Sequence, residues 1–322
     1  MWKFNPIVKK TVWGGNKIVA FRRLSIPETD AIIGESWEIS SIEGSETIVA
    51  EGNEKGLTLR ELIARYGHEL LGKRNFKTYG EKFPILIKFI DAKDDLSVQV
   101  HPGSDYFKDG EKGSGKNEMW YIIHAEKDAC LAGGFNRKVA PDEYPELAKS
   151  GKITEVLRYH KVKKGETYYI PAGRVHAIGK GTFLAEIQQT SDITFRIFDY
   201  HRKGCDGKER ELHIEQACKA TDFNDTECNA VSPVRIDEST GNLVATESFT
   251  VNIISGSKKF ERDYRNKDSF VILTCVEGSA KISSGEGKMT LETGDSVLMP
   301  AVTGIISVEP EAGFKALETY IE

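Results

Sequence analysis

At 322 residues the chain exceeds what one small core organises and has room for two domains. With 39% hydrophobic and 29% charged residues it has the composition of a folded protein, and its net charge of −5 argues against nucleic acid as a partner. That balance still permits a local basic pocket for a small anion.

No apolar run approaches the length needed to cross a bilayer, so no membrane association is expected. The N-terminal Met-Trp-Lys-Phe-Asn-Pro lacks the basic-then-apolar order of a secretion signal. The cysteines, Cys130, Cys205, Cys218, Cys228 and Cys275, are odd in number, irregular in spacing and include no CxxC. The expectation is a soluble cytoplasmic protein with reduced thiols.

Residues 1–55 read as short strands and turns, with Gly34-Glu-Ser-Trp-Glu-Ile-Ser40 the clearest strand. Residues 58–72 read as a helix that breaks near Gly67. Leu59, Leu62, Ile63 and Tyr66 share one face, and Thr58 with Glu61 forms a capping box. Residues 83–91 make a buried strand, and 96–101 another after a polar turn. Residues 103–117 form a Gly/Lys-rich loop. Strands are expected at 118–124, 166–171, 182–190 and 192–198, and short helices at 141–150 and 212–220. Beyond about residue 225 strands return, at 251–255, 269–276, 280–283, 288–291 and 296–299.

A weak internal repeat runs through this pattern. Gly165-Glu-Thr-Tyr-Tyr-Ile-Pro-Ala172 matches Gly294-Asp-Ser-Val-Leu-Met-Pro-Ala301, and Trp120-Tyr-Ile-Ile-His resembles Val271-Ile-Leu-Thr-Cys. Extended forward, the match sets His176 against Ile305. The expected fold is mainly β: two jelly-roll β-barrels with a few helices inserted in the N-terminal part. The expected domains are 1–228, which carries the chemistry, and a degenerate unit at 229–322.

In Leu96-Ser-Val-Gln-Val-His-Pro102 alternation puts Gln99 and His101 on one strand face with Ser97, and Val98 and Val100 on the other. Glu118 begins the next strand, and His176 follows the turn Ile-Pro-Ala-Gly-Arg-Val. Gln99, His101, Glu118 and His176 together offer an N/O donor set for a divalent ion. Donor softness alone leaves zinc, manganese, iron and nickel open. The loop Gly110-Glu-Lys-Gly-Ser-Gly-Lys-Asn117 imitates a P-loop, but it ends in Asn and leads into a strand, so a nucleotide role is rejected. Lys116 stands two residues before Glu118 and can share its face. In Leu184–Tyr200 the sequence offers Glu186 and Gln188 on one face, then Asp192 and Arg196. An arginine between Phe195 and Ile197 needs a carboxylate partner or an anionic ligand.

The chain resembles the type I phosphomannose isomerases, in their short bacterial form. The resemblance rests on Gly34-Glu-Ser-Trp-Glu, Ser97-Val-Gln-Val-His-Pro, Gly115-Lys-Asn-Glu-Met-Trp-Tyr, Ile170-Pro-Ala-Gly-Arg-Val-His-Ala-Ile, Glu186-Ile-Gln-Gln-Thr-Ser-Asp and Phe195-Arg-Ile-Phe-Asp-Tyr, in that order over residues 5–215. It implies a cupin enzyme interconverting mannose 6-phosphate and fructose 6-phosphate, with one Zn²⁺ held by Gln99, His101, Glu118 and His176. It further implies Arg196 and Lys116 as catalytic cations, with Ser97 and Arg202 near the phosphate. The expected base is Glu186, with Asp192 and a metal-activated water as alternatives. The expected assembly is a monomer or homodimer. Two rival readings are an iron-dependent cupin oxygenase, using His101, Glu118 and His176, and a non-enzymatic sugar-binding cupin.

Overall fold

The computed structural model describes residues 1–27, 32–107, 113–204, 207–285 and 287–322. Cys205 and residues 108–112 of the Gly/Lys-rich loop lie outside the described residues. Cys130, Cys218, Cys228 and Cys275 are free thiols. No helix of the described chain is long and apolar enough to cross a membrane.

The chain is mainly β with a few short helices. One six-stranded sheet runs in the order Thr167–Ile170, Glu118–Ala125, Thr182–Gln189, Ile85–Ala92, Glu35–Ile39, Ile7–Lys9. A five-stranded sheet runs Leu157–Lys161, Cys130–Phe135, His176–Ile178, Val98–Val100, Phe195–Phe198. Neither ladder closes on itself, so the closed barrels expected from the sequence are not seen as continuous hydrogen bonding. Several strands are short, and proline limits them: Pro102 follows His101, and Pro171 ends Thr167–Ile170, each withdrawing a donor. A ten-stranded sheet gathers the C-terminal strands together with Trp2–Asn5 and Ile48–Val49.

Most elements follow the sequence pattern. The helix breaks at Gly67, whose φ of +50° suits glycine, into Leu59–Tyr66 and His68–Leu71. Thr58 and Glu61 form the capping box. Every residue of Ile85–Ala92 is buried. Three expectations shift. The strand placed at 192–198 begins only at Phe195. The strands at 269–276 and 280–283 are one strand, Val271–Ser284, which absorbs two register shifts near Gly278. The strand Ile305–Tyr320 went unread, because the polar run around Pro310 interrupts its alternation.

One core spans both halves of the chain. Leu59, Leu62, Ile63, Leu70 and Leu71 pack with Ile85, Ile87 and Phe89, and the same cluster includes Phe249, Val251, Phe270 and Ile272. Phe83 and Phe270 have ring centroids 4.6 Å apart. The first strand crosses into the C-terminal sheet, with Trp2 paired to Leu298. Beside it Lys3, Arg22 and Arg23 all engage Asp295.

Arg22 also meets Glu38 at 2.9 Å, and Ser36 donates to Glu38 at 2.6 Å. Burial outweighs both contacts and pushes the Glu38 carboxyl up to about 7. Because the folded value lies above the unfolded one, the stability this group contributes is complete below its ordinary range. It is lost as pH rises through about 7. Thermal midpoints should therefore decline between mildly acidic and neutral pH, by roughly 3 kcal/mol of unfolding free energy. The variant Glu38→Gln should flatten that slope. Parallel midpoint-against-pH curves for the two proteins would refute the assignment.

Candidate metal centre and active site

Val98 and Val100 are fully buried in the cluster that lines the outer side of the five-stranded sheet. That anchors the strand and turns Gln99 to the inner side. Gln99 pairs directly with His176 on one neighbouring strand and with Arg196 on the other. Directly opposed residues share a sheet face, so His176, Gln99 and Arg196 form one row across three strands. Glu118, at the start of its strand on the facing six-stranded sheet, meets this row from the other side.

The distances make a compact group. His101 Nε2 lies 3.2 Å from Glu118 Oε1, and His176 Nε2 lies 3.9 Å from Glu118 Oε2. Gln99 Nε2 stands 3.3 Å from His176 Nε2. One ligand atom from each of His101, Glu118 and His176 falls within 4.8 Å of the others, and all three residues are buried. Lys116 Nζ sits 2.7 Å from Glu118 Oε1 and 3.1 Å from His101 Nε2, placing a cation among the donor atoms.

The surroundings set the protonation these donors need. His101 Nδ1 lies 3.0 Å from the Ile193 carbonyl and His176 Nδ1 lies 2.9 Å from the Arg174 carbonyl. A carbonyl only accepts, so each Nδ1 carries the proton and each Nε2 keeps its lone pair toward Glu118. Burial, and then the Lys116 charge, push His101 down to about 4; burial also lowers His176. For Glu118 burial acts upward, but the Lys116 ammonium at 2.7 Å outweighs it and holds the carboxyl well below its ordinary range. Neither Glu118 oxygen has a well-formed hydrogen bond despite complete burial. Neutral imidazoles, an anionic carboxylate and unsatisfied lone pairs are the state that a divalent ion requires. The residues present fit such an ion.

The structure distributes the other expected site residues unevenly. Glu186 is buried on Thr182–Gln189, opposite Trp120, which lies two residues beyond Glu118 on the neighbouring strand. Lys88 Nζ approaches Glu186 Oε1 at 3.0 Å, and Trp120 Nε1 donates to Oε2 at 2.9 Å. Lys88, a lysine within an apolar strand, poses the same desolvation problem as Arg196, and that is the signal by which the sequence marks it. Burial lowers its pKa, but Glu186, Glu35 and Glu118 outweigh that and raise it, so it stays an ammonium. Ser97 is buried beside Gln99, and its hydroxyl makes no hydrogen bond among the described residues.

Arg196 donates through Nη1 to the Glu211 carbonyl at 2.8 Å, and its buried Nε has no partner. Arg202 is drawn away from the cluster, with its guanidinium bound to Asp199 and to the Asp95 carbonyl. Asp192 is exposed and lines a cavity of about 580 Å³ together with Arg60, Lys82 and Ser114. Ile193, whose carbonyl orients His101, lines the same cavity.

Two imidazoles and a carboxylate converging between facing sheets, with Lys116 among their donor atoms and Arg196 in the row of Gln99 and His176, define a mainly β protein with a site that could hold a metal ion. Residues 1–122 match the model for the phosphomannose isomerase type I catalytic domain, and residues 239–314 match that for the mannose-6-phosphate isomerase cupin domain. The chain is 36% identical over 311 residues to mannose-6-phosphate isomerase ManA of Bacillus subtilis, covering 95% of each chain. It is 34% identical to the mannose-6-phosphate isomerase of Streptococcus mutans, over 90% of this chain and 89% of that one. The crystal structure of mannose 6-phosphate isomerase from Bacillus subtilis superposes with a TM-score of 0.88 at 29% identity, covering 100% of this chain and 99% of that one. The chain belongs to the type I phosphomannose isomerase family.

Proposed function

We infer that this chain is an aldose–ketose isomerase that interconverts mannose 6-phosphate and fructose 6-phosphate. The observation that carries the inference is the buried Glu118 between two imidazoles, faced by the row His176, Gln99, Arg196, in a member of this family. Gln99, His101, Glu118 and His176 hold the ion, which we assign as zinc. When bound, it supplies a Lewis acid that polarises the sugar oxygens.

The chain's own residues supply the rest. Isomerisation moves the C2 proton of the aldose to C1 and the O2 hydroxyl proton to O1, through an enediol in which negative charge develops on O1 and O2. Lys116 and Arg196 place positive charge where that oxyanion forms. Glu186 is the base: Lys88 and Trp120 hold its carboxylate in one orientation within the same interior as Glu118. Ser97 has a free hydroxyl for the substrate, whereas Arg202 reaches a phosphate only by leaving Asp199. The reading includes two cupin units divided near residue 228, the second without ligands, and a cytoplasmic monomer or homodimer. The match of residues 239–314 to a cupin-domain model supports the second unit, and no helix of the described residues is long and apolar enough to cross a membrane.

A coupled assay with mannose 6-phosphate tests the function. Activity should vanish on exhaustive chelation, return with zinc and proceed without oxygen. Full turnover by metal-free protein would overturn the metal assignment. Strict dependence on oxygen and iron would favour the oxygenase chemistry that His101, Glu118 and His176 alone also permit.

A further inference from the structure

The outer face of the five-stranded sheet carries a second cavity, of about 630 Å³, within the range of small-molecule sites. Its wall includes Tyr159, Phe198, Tyr200 and His201, and its acids are Asp95, Asp128 and Glu155. Ala177 and Phe198, which line it, lie on the strands that carry His176 and Arg196.

The backbone at this cavity is strained. Among the described residues only Arg23, Tyr200 and His201 adopt positive φ without being glycine, and two of these are adjacent here, at +56° and +54°. The surrounding structure enforces that conformation. Asp199 is gripped by Arg202 and by Arg210, whose Nε and Nη2 donate at 2.7 and 2.6 Å. Arg202 is in turn tied to the Asp95 carbonyl, and Lys180 N donates to Asp95 Oδ1 at 2.8 Å. The result stacks Tyr200 edge-on to Phe198, at 5.2 Å between centroids. Strain that neighbouring structure over-determines is characteristic of ligand sites.

We propose that this cavity binds a neutral monosaccharide in its pyranose form. Aromatic walls suit the apolar faces of a sugar ring. The Tyr159 and Tyr200 hydroxyls make no hydrogen bond to a described residue; burial pushes both up, so they stay protonated donors. Carboxylates accept from sugar hydroxyls in charge-assisted hydrogen bonds. Three acids against the exposed Lys152 and Lys180 make the cavity a poor place for a phosphate. The proposal does not depend on the reaction assigned to the metal centre.

Saturation-transfer NMR of D-mannose on the metal-loaded protein tests it. Transfer should be observed, should persist in excess fructose 6-phosphate, and should be unchanged in Arg196→Ala. It should fall at least fivefold in Tyr200→Gly and in Tyr159→Ala. Glycine at 200 relieves the positive φ while giving up the Phe198 and Arg202 contacts, so retained folding of that variant is read from its melting curve, and Tyr159 is half exposed. Absence of transfer at roughly 10 mM sugar overturns the proposal. So does transfer that survives both tyrosine substitutions or is lost in Arg196→Ala.

Discussion

Replacing Glu118 by alanine should leave a protein that neither retains a divalent ion through dialysis nor turns over mannose 6-phosphate. Glu118 is the only anion among the four proposed ligands, and its two oxygens face His101 and His176 at 3.2 and 3.9 Å. Losing a partner in the outer shell of a metal site commonly costs 10–100-fold in affinity, so losing this carboxylate should cost more than about 100-fold. Turnover should fall by roughly 10³-fold or more, comparable to deleting a main electrostatic contact. The substitution also leaves Lys116, 4% exposed, without its carboxylate at 2.7 Å. A lower thermal midpoint should accompany the loss, since stripping one member from a buried pair is destabilising. Metal analysis after dialysis and the coupled assay decide the matter. A metal-free Glu118→Ala protein with normal turnover would dismantle the site.

The donors themselves were legible because their signals are local. Alternation put Gln99 and His101 on one face, and a strand start placed Glu118. What assembles them was not. That His176, Gln99 and Arg196 form a row depends on the pairing of three strands far apart in sequence. The carbonyls of Ile193 and Arg174 that fix the imidazole tautomers leave no side-chain trace. The helix Lys73–Tyr79 was missed for a similar reason. Its first amides are capped by Asp268, 195 residues away from Lys73.

The repeat shows how period-two patterns mislead. Both turns are real: Gly165 N donates to the Ile122 carbonyl and Gly294 N to that of Cys275, each at 2.8 Å, with φ near +90° and +89°. These bonds equate Ile122 with Cys275, and therefore Glu118 with Val271, two residues from the match read in the sequence. A slip of two preserves every inward and outward face, so composition cannot expose it. In the corrected register Glu186 corresponds to Glu318, since they pair with Trp120 and Leu273 respectively. Lys88 corresponds to Asn252. Glu318 is buried and held by Arg262, Tyr264 and Asn252. The C-terminal strands thus place an acid at the matching position but surround it with protein donors, and the match sets Val271 against Glu118 and Ile305 against His176.

Arg196→Ala should separate chemistry from metal binding, keeping the ion while losing turnover. The carboxylates nearest to Arg196 in sequence are Asp192 and Asp199, and an ion pair with either would satisfy it. The structure gives it neither: Asp199 is taken by Arg202 and Arg210, and Arg196 forms no ion pair among the described residues. Burial, and then the neighbouring Arg210, lower its pKa, which marks a guanidinium held against desolvation and like charge. Such a group gains most when an anion arrives, and its pairing with Gln99 sets it in the same row as two of the proposed ligands. Removing it should reduce kcat by roughly 10²–10³-fold with metal content unchanged. Arg196→Lys should recover only part of the loss, because a single ammonium does not reproduce the planar fork. A fall confined to KM would make Arg196 a binding contact alone. Unchanged turnover would remove it from the mechanism. Loss of the metal together with activity would mean that its task is to hold the strand of Gln99.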